Sequence, residues 1–331
     1  MPLTPLNRRD ALRLAAAAAT CALPGLAFAA YPDRVVKVVV PFAAGGATDI
    51  IGRIVAQQLG TSLGQQFIVE NKGGAGGNLG AEAVAKGTPD GYTLLMGAMT
   101  SHATIATLEK GKVRYDLIKD FSTVAVVGRV PLVFVVHPSL PVKSMKELVA
   151  YIRSHPGKVS FGSSGAGAPQ RMAAEMLKLQ NKLQTENIPY RGSGPAVSDL
   201  IAGQLHFMAE TIPAVLQHIR AGKLRALAVA GSRRDPSLPD VPTTAEAGMP
   251  DLEVSSTFGL LAPASVPKDV IQRLNAEVYK SLQKADVQAL LAQQGVQVQS
   301  PITPEAAHEQ LKAEVAKWAK LIAEASIKAD E

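Results

Sequence analysis

Hydrophobic runs alternate with helical repeats of hydrophobic residues in the first part of the chain. Val35 to Val40 is a β-branched run interrupted only by Lys37, as expected of a largely buried strand. Asp49 to Leu63 follows with hydrophobic residues at helical spacing, and strands at 67–70 and 92–96 flank a predicted helix at 79–86. This order predicts a parallel, doubly wound sheet with right-handed crossover connections.

The same alternation returns after residue 131. A capping box formed by Ser144 and Glu147 starts a predicted helix that ends at Ser154. Further strands are predicted at 132–137, 159–162, 188–190, 206–208, 224–230 and 258–262, and further helices at 170–179, 195–202, 214–221, 268–284 and 304–325. The chain is therefore predicted to be α/β throughout, with a second sheet beside the first.

Two of these strands resemble each other and end at a proline. They are Val133 to Pro138 and Phe258 to Pro263, and each is placed where the chain can pass between two lobes. We therefore predict lobe one from 31–131 plus 262–331, and lobe two from 132–261. A two-lobed α/β chain with a paired hinge is suited to closing on a ligand.

The first 30 residues have the order of an export signal. Arg8 and Arg9 precede an Ala/Leu-rich stretch at 14–28, and small residues follow at the positions that a signal peptidase reads. We predict that 1–30 is a signal peptide cleaved near Ala29 or Ala30. The paired arginines resemble a twin-arginine signal, and an ordinary secretory signal is an equal alternative because both predict export to the periplasm.

Composition and charge exclude several classes of protein. The chain has 331 residues, is 47% hydrophobic and carries a net charge of +6, but its basic residues are scattered without interleaved aromatics, which disfavours nucleic-acid binding. The single cysteine, Cys21, lies in the predicted signal, so disulfide scaffolds and cysteine-rich zinc sites are excluded. We predict no metal, no cofactor and no stable membrane insertion for the mature chain.

Three loops rich in small residues carry the functional prediction. They cover 42–49, 73–78 and 162–169, and each connects a predicted strand to a helix. Such loops lie at the carboxyl ends of the strands, where α/β sheets bind ligands. Small side chains let a ligand approach the backbone N–H groups, and the helix N-termini favour an anion. The alternative is that the glycines serve only tight turns and helix packing.

The candidate ligand-binding residues come from these loops and from neighbouring strand ends. Glu210 follows the strand at 206–208, where its carboxylate can accept a hydrogen bond from a ligand hydroxyl or amine and would repel a further carboxylate. Arg191 and Arg171 are the cationic candidates for a distal carboxylate of the ligand. The predicted set is Phe42, Ala43, Ala44, Gly45, Gly46, Ala47, Thr48, Asp49, Gly77, Asn78, Ser101, His102, Ser163, Ser164, Gly165, Ala168, Pro169, Arg191, Glu210 and Thr211.

The same loops do not match the sequence motifs of nucleotide-binding and hydrolase sites. Residues 73–80 do not fit a dinucleotide-binding glycine pattern, and 162–166 do not fit a nucleophile elbow. His102 beside Ser101 leaves one alternative open, an exported hydrolase that uses Ser101 or Ser164 with His102 as the base. We predict no enzyme activity and assign no catalytic residue.

Six segments carry a resemblance to a known family, and together they cover essentially the whole mature chain: 39–49, 69–80, 88–95, 189–193, 238–243 and 245–248. In these segments the sequence resembles the Bug receptors, which are extracytoplasmic solute-binding proteins of tripartite tricarboxylate transporters. The resemblance implies a two-lobed periplasmic-binding-protein fold, each lobe a doubly wound and mostly parallel sheet, with two crossover strands as the hinge. It also implies capture of a small carboxylate and its delivery to the membrane subunits of a transporter.

The resemblance further implies roles for particular segments. In that family the loops matching Phe42–Asp49 and Ser163–Pro169 hold the ligand carboxylate, largely through backbone groups and water, and the pair that reads the distal end matches Glu210 and Thr211. Ala209 and Thr257 stand where the family commonly has bulkier residues, which leaves the identity of the carboxylate open. A sensory subunit that presents the same ligand to a signalling kinase is the alternative, and we expect a monomer.

Overall fold

The structure is a computed structural model that describes residues 31–165, 167–190 and 192–329. The chain divides into a short unit at 1–33 and a main unit at 34–331. The predicted signal peptide at 1–30 lies outside the described residues.

Ten strands and ten α-helices are formed by the described residues. The strands are β1 (Val36–Val40), β2 (Phe67–Asn71), β3 (Thr93–Ala98), β4 (Phe121–Val136), β5 (Ser160–Ser163), β6 (Glu186–Pro189), β7 (Phe207–Thr211), β8 (Arg225–Val229), β9 (Ser255–Pro263) and β10 (Gln297–Val298). The helices are α1 (Ala47–Leu63), α2 (Asn78–Ala85), α3 (Met99–Leu108), α4 (Met145–Ser154), α5 (Pro169–Asn181), α6 (Ser193–Ile201), α7 (Ile212–Arg220), α8 (Lys268–Leu282), α9 (Ala285–Gln293) and α10 (Pro304–Glu324).

The strands form the two-lobed α/β architecture that the sequence predicts. In lobe one, β1 pairs in parallel with β2 and β3, and β9 then runs antiparallel to both β3 and β4. In lobe two, β5 is parallel to β6 and β7, whereas β4 is antiparallel to β7 and β8. The predicted fold class is confirmed.

Strand β4 has partners in both lobes and is the first crossover strand. Its residues 121–131 pair with β9, and its residues 132–136 pair with β7 and β8. At the change of partner the Leu132 N–H donates to the carbonyl of Val254, and the Ala230 N–H donates to the carbonyl of Leu132. Pro131 stands at this point and has no N–H with which to continue the earlier ladder.

Strand β9 is the second crossover strand, and it pairs with lobe one along its length. Val254, the residue before it, donates to the carbonyl of Ala230 beside β8 of lobe two. These pairings favour a second crossover next to Ser255 rather than at 261/262. The residue limits of the two lobes stay a prediction.

Buried side chains fill the space between the sheet and its helices. Val38, Leu94 and Val126 are fully buried, and Phe121 and Trp318 are the large aromatic residues of the same interior. In the described part of the chain, no helix is long and hydrophobic enough to cross a membrane. The same residues contain no group of three or more His, Cys, Asp or Glu side chains placed to hold a metal ion.

Candidate functional site

The loop between β1 and α1 is organised by the carboxylate of Asp49. One oxygen accepts hydrogen bonds from the Gly45 N–H at 2.9 Å and from Arg53 Nε at 3.0 Å. The other accepts from Asn71 Nδ2 at 2.9 Å, and Asn71 also donates to the carbonyl of Phe42. Gly45 has a φ of +86°, a conformation that glycine adopts without strain. The predicted site residue Asp49 therefore shapes the loop, and its carboxylate oxygens are occupied.

These contacts keep Asp49 ionised. Burial alone would raise the pKa of its carboxyl, but the hydrogen bonds from Arg53, Gly45 and Asn71 lower the pKa to about 2. Asp49 lies in the first turn of α1, where a negative charge also interacts favourably with the helix dipole.

The start of α1 leaves backbone donors available. Gly46 caps the helix without a side-chain hydrogen bond, and Ala43 to Ala47 are exposed, as predicted for a surface that a ligand can approach. The first N–H groups of any helix lack partners within the helix. This loop therefore presents a row of small residues beside unpaired N–H groups, an arrangement that suits an anionic group.

The second small-residue loop ends in a 3₁₀ turn at Ala75–Gly77, which packs beneath the first loop. A Cβ added at Gly77 would lie 3.0 Å from Phe42 Cζ and 3.2 Å from His102 Cε1. The rings of Phe42 and His102 are 6.2 Å apart. Gly77 is buried, so the structure gives it a packing role that links the loops after β1 and β3.

Asn78 turns its side chain into the protein interior. Tyr115 Oη donates to Asn78 Oδ1 at 2.9 Å, and Asn78 Nδ2 donates to Glu109 Oε2 at 3.1 Å. Burial, assisted by the charge of Glu109, raises the pKa of Tyr115. Both polar atoms of the Asn78 amide are occupied in this way, so its predicted ligand role falls to its backbone, at the start of α2.

His102 is fully buried on α3 and has no hydrogen-bond partner for either ring nitrogen among the described residues. Burial lowers its pKa to about 4, so the ring is neutral near pH 7. Ser101 beside it is half-buried, and the serine–histidine hydrogen bond that a hydrolase requires is not formed by the described residues.

The third loop follows β5 in lobe two. Its first residue, Ser163, is fully buried, and its hydroxyl has no partner in the part of the chain that the structure describes. The Tyr190 N–H donates to the Ser163 carbonyl, which fixes the end of the strand. Gly165 has a φ of +136°, and Ala168 caps α5 with Pro169 as its first residue. Ser164 and Gly165 remain partly exposed.

Glu210 lies at the end of β7, fully buried beside this loop. Its Oε1 accepts from Gln170 Nε2 at 2.9 Å, from the Thr211 N–H at 2.6 Å and from Thr211 Oγ1 at 3.0 Å. Its Oε2, and Oε1 of Gln170, are buried and have no partner within residues 31–165, 167–190 and 192–329. Two acceptors without a donor therefore lie at the carboxyl end of the lobe-two strands.

The loops of the two lobes meet at α3. Thr104 Oγ1 donates to the carbonyl of Ser101 at 2.9 Å and to the carbonyl of Gly167 at 2.5 Å. Gly167 also packs closely against Ile105, because a Cβ at Gly167 would fall 2.2 Å from Ile105 Cγ1. The structure thus brings the loop after β5 against the helix after β3.

Some predicted residues are placed elsewhere or not described. Arg191 and Ala166 lie outside the described residues. Arg171, the second cationic candidate, is buried near the start of α5. Sequence reasoning missed Gln170, Asn71 and Thr104, although Gln170 follows a predicted loop and Asn71 follows a predicted strand. Their roles depend on partners distant in sequence, which no local pattern encodes.

The crossover strands and the paired small-residue loops define a two-lobed solute-binding protein of the periplasmic-binding-protein fold. The family model described as the tripartite tricarboxylate transporter family receptor matches residues 51–327. The chain belongs to this receptor family. It is 38% identical to Protein BugT of Bordetella pertussis over 299 residues, which cover 90% of this chain and 91% of BugT.

Solved structures agree with this assignment. A protein of R. palustris solved with adipate is 35% identical, with a TM-score of 0.81, over 91% of this chain and 100% of that one. MatC from Rhodopseudomonas palustris, solved with bound malate, is 34% identical, with a TM-score of 0.77, over 88% of this chain and 100% of that one. The predicted family is confirmed.

Proposed function

We propose that this protein captures a small organic carboxylate between its lobes and delivers it to the membrane subunits of a tripartite tricarboxylate-type transporter. The observation that carries the proposal is that two small-residue loops, 42–49 of lobe one and 163–169 of lobe two, both contact α3. These two are the paired loops. One starts α1 with exposed small residues, and the other starts α5 after Ser163, whose hydroxyl has no partner among the described residues. Backbone N–H groups at two helix starts suit the negative charge of a carboxylate.

Glu210 and Gln170 narrow the class of carboxylate. Glu210 Oε2 and Gln170 Oε1 are buried acceptors without a partner in the part of the chain that the structure describes, and buried polar groups are normally satisfied by a partner. A ligand hydroxyl or ammonium group would supply the missing donor, whereas a second ionised carboxylate at this point would be repelled by Glu210. We therefore expect ligands that carry a carboxylate at one end and a hydrogen-bond donor near the other.

The relatives support the general class of ligand. The R. palustris protein was solved with adipate and MatC with malate, and both are carboxylates. Residues Ala43 to Gly46, the loop at 163–169 and the pair Glu210–Thr211 are the proposed contacts in this chain, with Arg191 as the proposed cationic contact. Export to the periplasm by residues 1–30, and two lobes whose second crossover lies next to Ser255, belong to the same proposal.

The hydrolase alternative is disfavoured by the environment of His102. A general base needs a hydrogen bond to its nucleophile and a pKa near the working pH. His102 has no hydrogen-bond partner in the described part of the chain, and its pKa is lowered to about 4. A sensory role would use the same carboxylate site. Ligand uptake in cells that lack this protein separates the two roles, because loss of uptake is expected for a transport receptor and normal uptake for a sensory subunit.

The direct test is a binding screen. The purified protein is unfolded and refolded to remove carried-over ligand, and its melting temperature is measured with dicarboxylates, hydroxy acids, amino acids and aromatic acids. A ligand at one hundred times its dissociation constant adds about 2.7 kcal/mol of stability. Stabilisation by one chemical class is expected, and turnover of that ligand without stable binding would contradict the proposal.

Glu210→Gln tests the selectivity of the site. The variant should lose at least tenfold in affinity for ligands with a hydroxyl or ammonium donor, because it removes a charge-assisted hydrogen bond. Glu175→Gln is the matched control, since Glu175 is also buried and lies on α5 but pairs with Lys178 at 3.2 Å. Equal losses in both variants would contradict a ligand contact at Glu210.

A further inference from the structure

A polar cavity of about 300 Å³ lies beside the first crossover strand. The cavity is lined by residues of β4, of the segment after β8, and of β10 with the segment after it. Both lobes therefore contribute to its wall. Among the described residues, none of the proposed carboxylate contacts lines it. The cavity is therefore a second recess, separate from the paired loops.

The cavity concentrates donors that lack partners. Arg129 Nε and Gln297 Nε2 are both buried and have no hydrogen-bond partner in residues 31–165, 167–190 and 192–329. Arg129 and Gln297 are paired neighbours in the ladder between β4 and β10, which places them side by side at the hinge. A buried guanidinium nitrogen without a partner is costly, so an acceptor at this point would be strongly favoured.

Arg233 brings a second positive charge from lobe two. It lies in the cavity wall after β8, and it is exposed. Its neighbour Arg234 is already occupied, because Arg234 Nε lies 2.9 Å from Glu246 Oε2. The one acidic residue of the described lining is Glu253, which is exposed, and no salt bridge joins it to Arg129 or Arg233 in the described part of the chain.

We propose that this cavity binds a small oxyanion, such as sulfate or phosphate, between Arg129 and Gln297 of lobe one and Arg233 of lobe two. Guanidinium groups present several N–H donors in a planar fork that matches oxyanion geometry, and Gln297 adds a neutral donor. Ligand carboxylates belong to the paired loops, whereas this site takes an inorganic oxyanion or an equally small anionic group.

The position of the site has a consequence for lobe movement. Arg129 lies three residues before Leu132, where β4 changes partners. Gly231 of lobe two packs against Pro131, because a Cβ built on Gly231 would lie 3.1 Å from Pro131 Cβ. An anion held by both lobes binds differently when the hinge angle changes. By thermodynamic linkage, the factor by which the anion changes the affinity for the carboxylate must equal the factor by which the carboxylate changes the affinity for the anion.

In the first experiment, sulfate is titrated into the refolded, ligand-free protein at constant ionic strength, which is maintained with chloride. Sulfate binding is measured by calorimetry and by the change in melting temperature. We expect saturable binding that weakens at least tenfold in Arg129→Gln and in Arg233→Gln. Arg220→Gln is the matched control, because Arg220 is exposed at the end of α7 and removes the same charge away from the cavity. Glu253→Gln should bind sulfate more tightly, since it removes the one opposing charge of the described lining.

The outcomes separate this proposal from the carboxylate site. Sulfate binding that persists unchanged in Glu210→Gln and falls in Arg233→Gln supports a separate hinge site. An absence of saturable binding overturns the proposal, and so does equal weakening in Arg220→Gln, because either result means only general screening of charge. Circular dichroism of Arg129→Gln checks its fold, and the exposed Arg233 supplies the test if that variant is destabilised.

Discussion

Thr104 and Gly167 are joined across the two lobes by a hydrogen bond of 2.5 Å from the threonine hydroxyl to the glycine carbonyl. Thr104 is fully buried, so this bond is shielded from water and holds α3 against the loop after β5. A contact of this kind forms only when the lobes are close together. It therefore favours the closed arrangement that the proposed capture of a ligand requires.

Thr104→Val should weaken carboxylate binding by about fivefold while leaving the fold intact, because one buried hydrogen bond contributes about 1 kcal/mol. Calorimetry with the ligand from the screen measures the change. Thr107→Val is the control on the same helix, since its hydroxyl donates only to the Ala103 carbonyl within α3. Unchanged affinity in Thr104→Val would mean that the contact persists whether or not ligand is bound.

Asp49→Asn should destabilise the protein by about 2 kcal/mol near pH 7, because the charged acceptor of three donors is lost. The folded-state pKa is depressed from 3.8 to about 2, so the stabilisation is present above 3.8 and is lost as the pH falls through about 2. Urea unfolding at several pH values measures both effects. Glu82→Gln, which breaks the ion pair with the exposed Lys86, should cost much less than Asp49→Asn.

Much of the fold could be predicted from the sequence because short local patterns determine many of its strands and helices. The β-branched run at 35–40 and the capping box at Ser144 predicted β1 and α4 to within a residue or two, and Ser144 does accept a hydrogen bond from the Glu147 N–H. The resemblance to a family supplied the rest of the architecture. Local patterns and family motifs each span a short stretch of sequence, so they predict well where strands, helices and loops lie.

Other features were missed because they depend on tertiary partners. Helix α3 buries Thr100, His102 and Thr104, so its pattern lacks the hydrophobic stripe that indicates a helix. The first part of β4, with the short strand β10 that pairs with it, was also missed, as was α9. Asn78 and Asp49 are predicted ligand-binding residues, and other residues of the protein occupy their side chains, some nearby and some far along the chain. Loop composition locates a site without telling which side chains point into it.

Gly77→Ala should destabilise the protein by about 1–3 kcal/mol, because the new methyl group would press on Phe42 and His102 in a backbone with a φ of +100°. Gly111→Ala is a matched control: its φ is +89° and nothing lies within 4 Å of its built Cβ. The difference between the two variants in chemical unfolding isolates the packing against the rings. Equal losses would show that backbone strain alone explains the requirement for glycine.

His102 should make stability depend on pH between about 6.5 and 4. Its folded-state pKa is lowered by burial from 6.5 to about 4, so the unfolded chain binds the proton first. Stability is therefore unaffected above 6.5 and falls as the pH drops toward 4, by about 3 kcal/mol in total. In His102→Gln this contribution disappears, so the stability difference between the two proteins should shrink or reverse in that window. Parallel unfolding curves from pH 7 to 4 would contradict a buried, neutral His102, and imidazole ¹⁵N shifts at pH 5 report its protonation state directly.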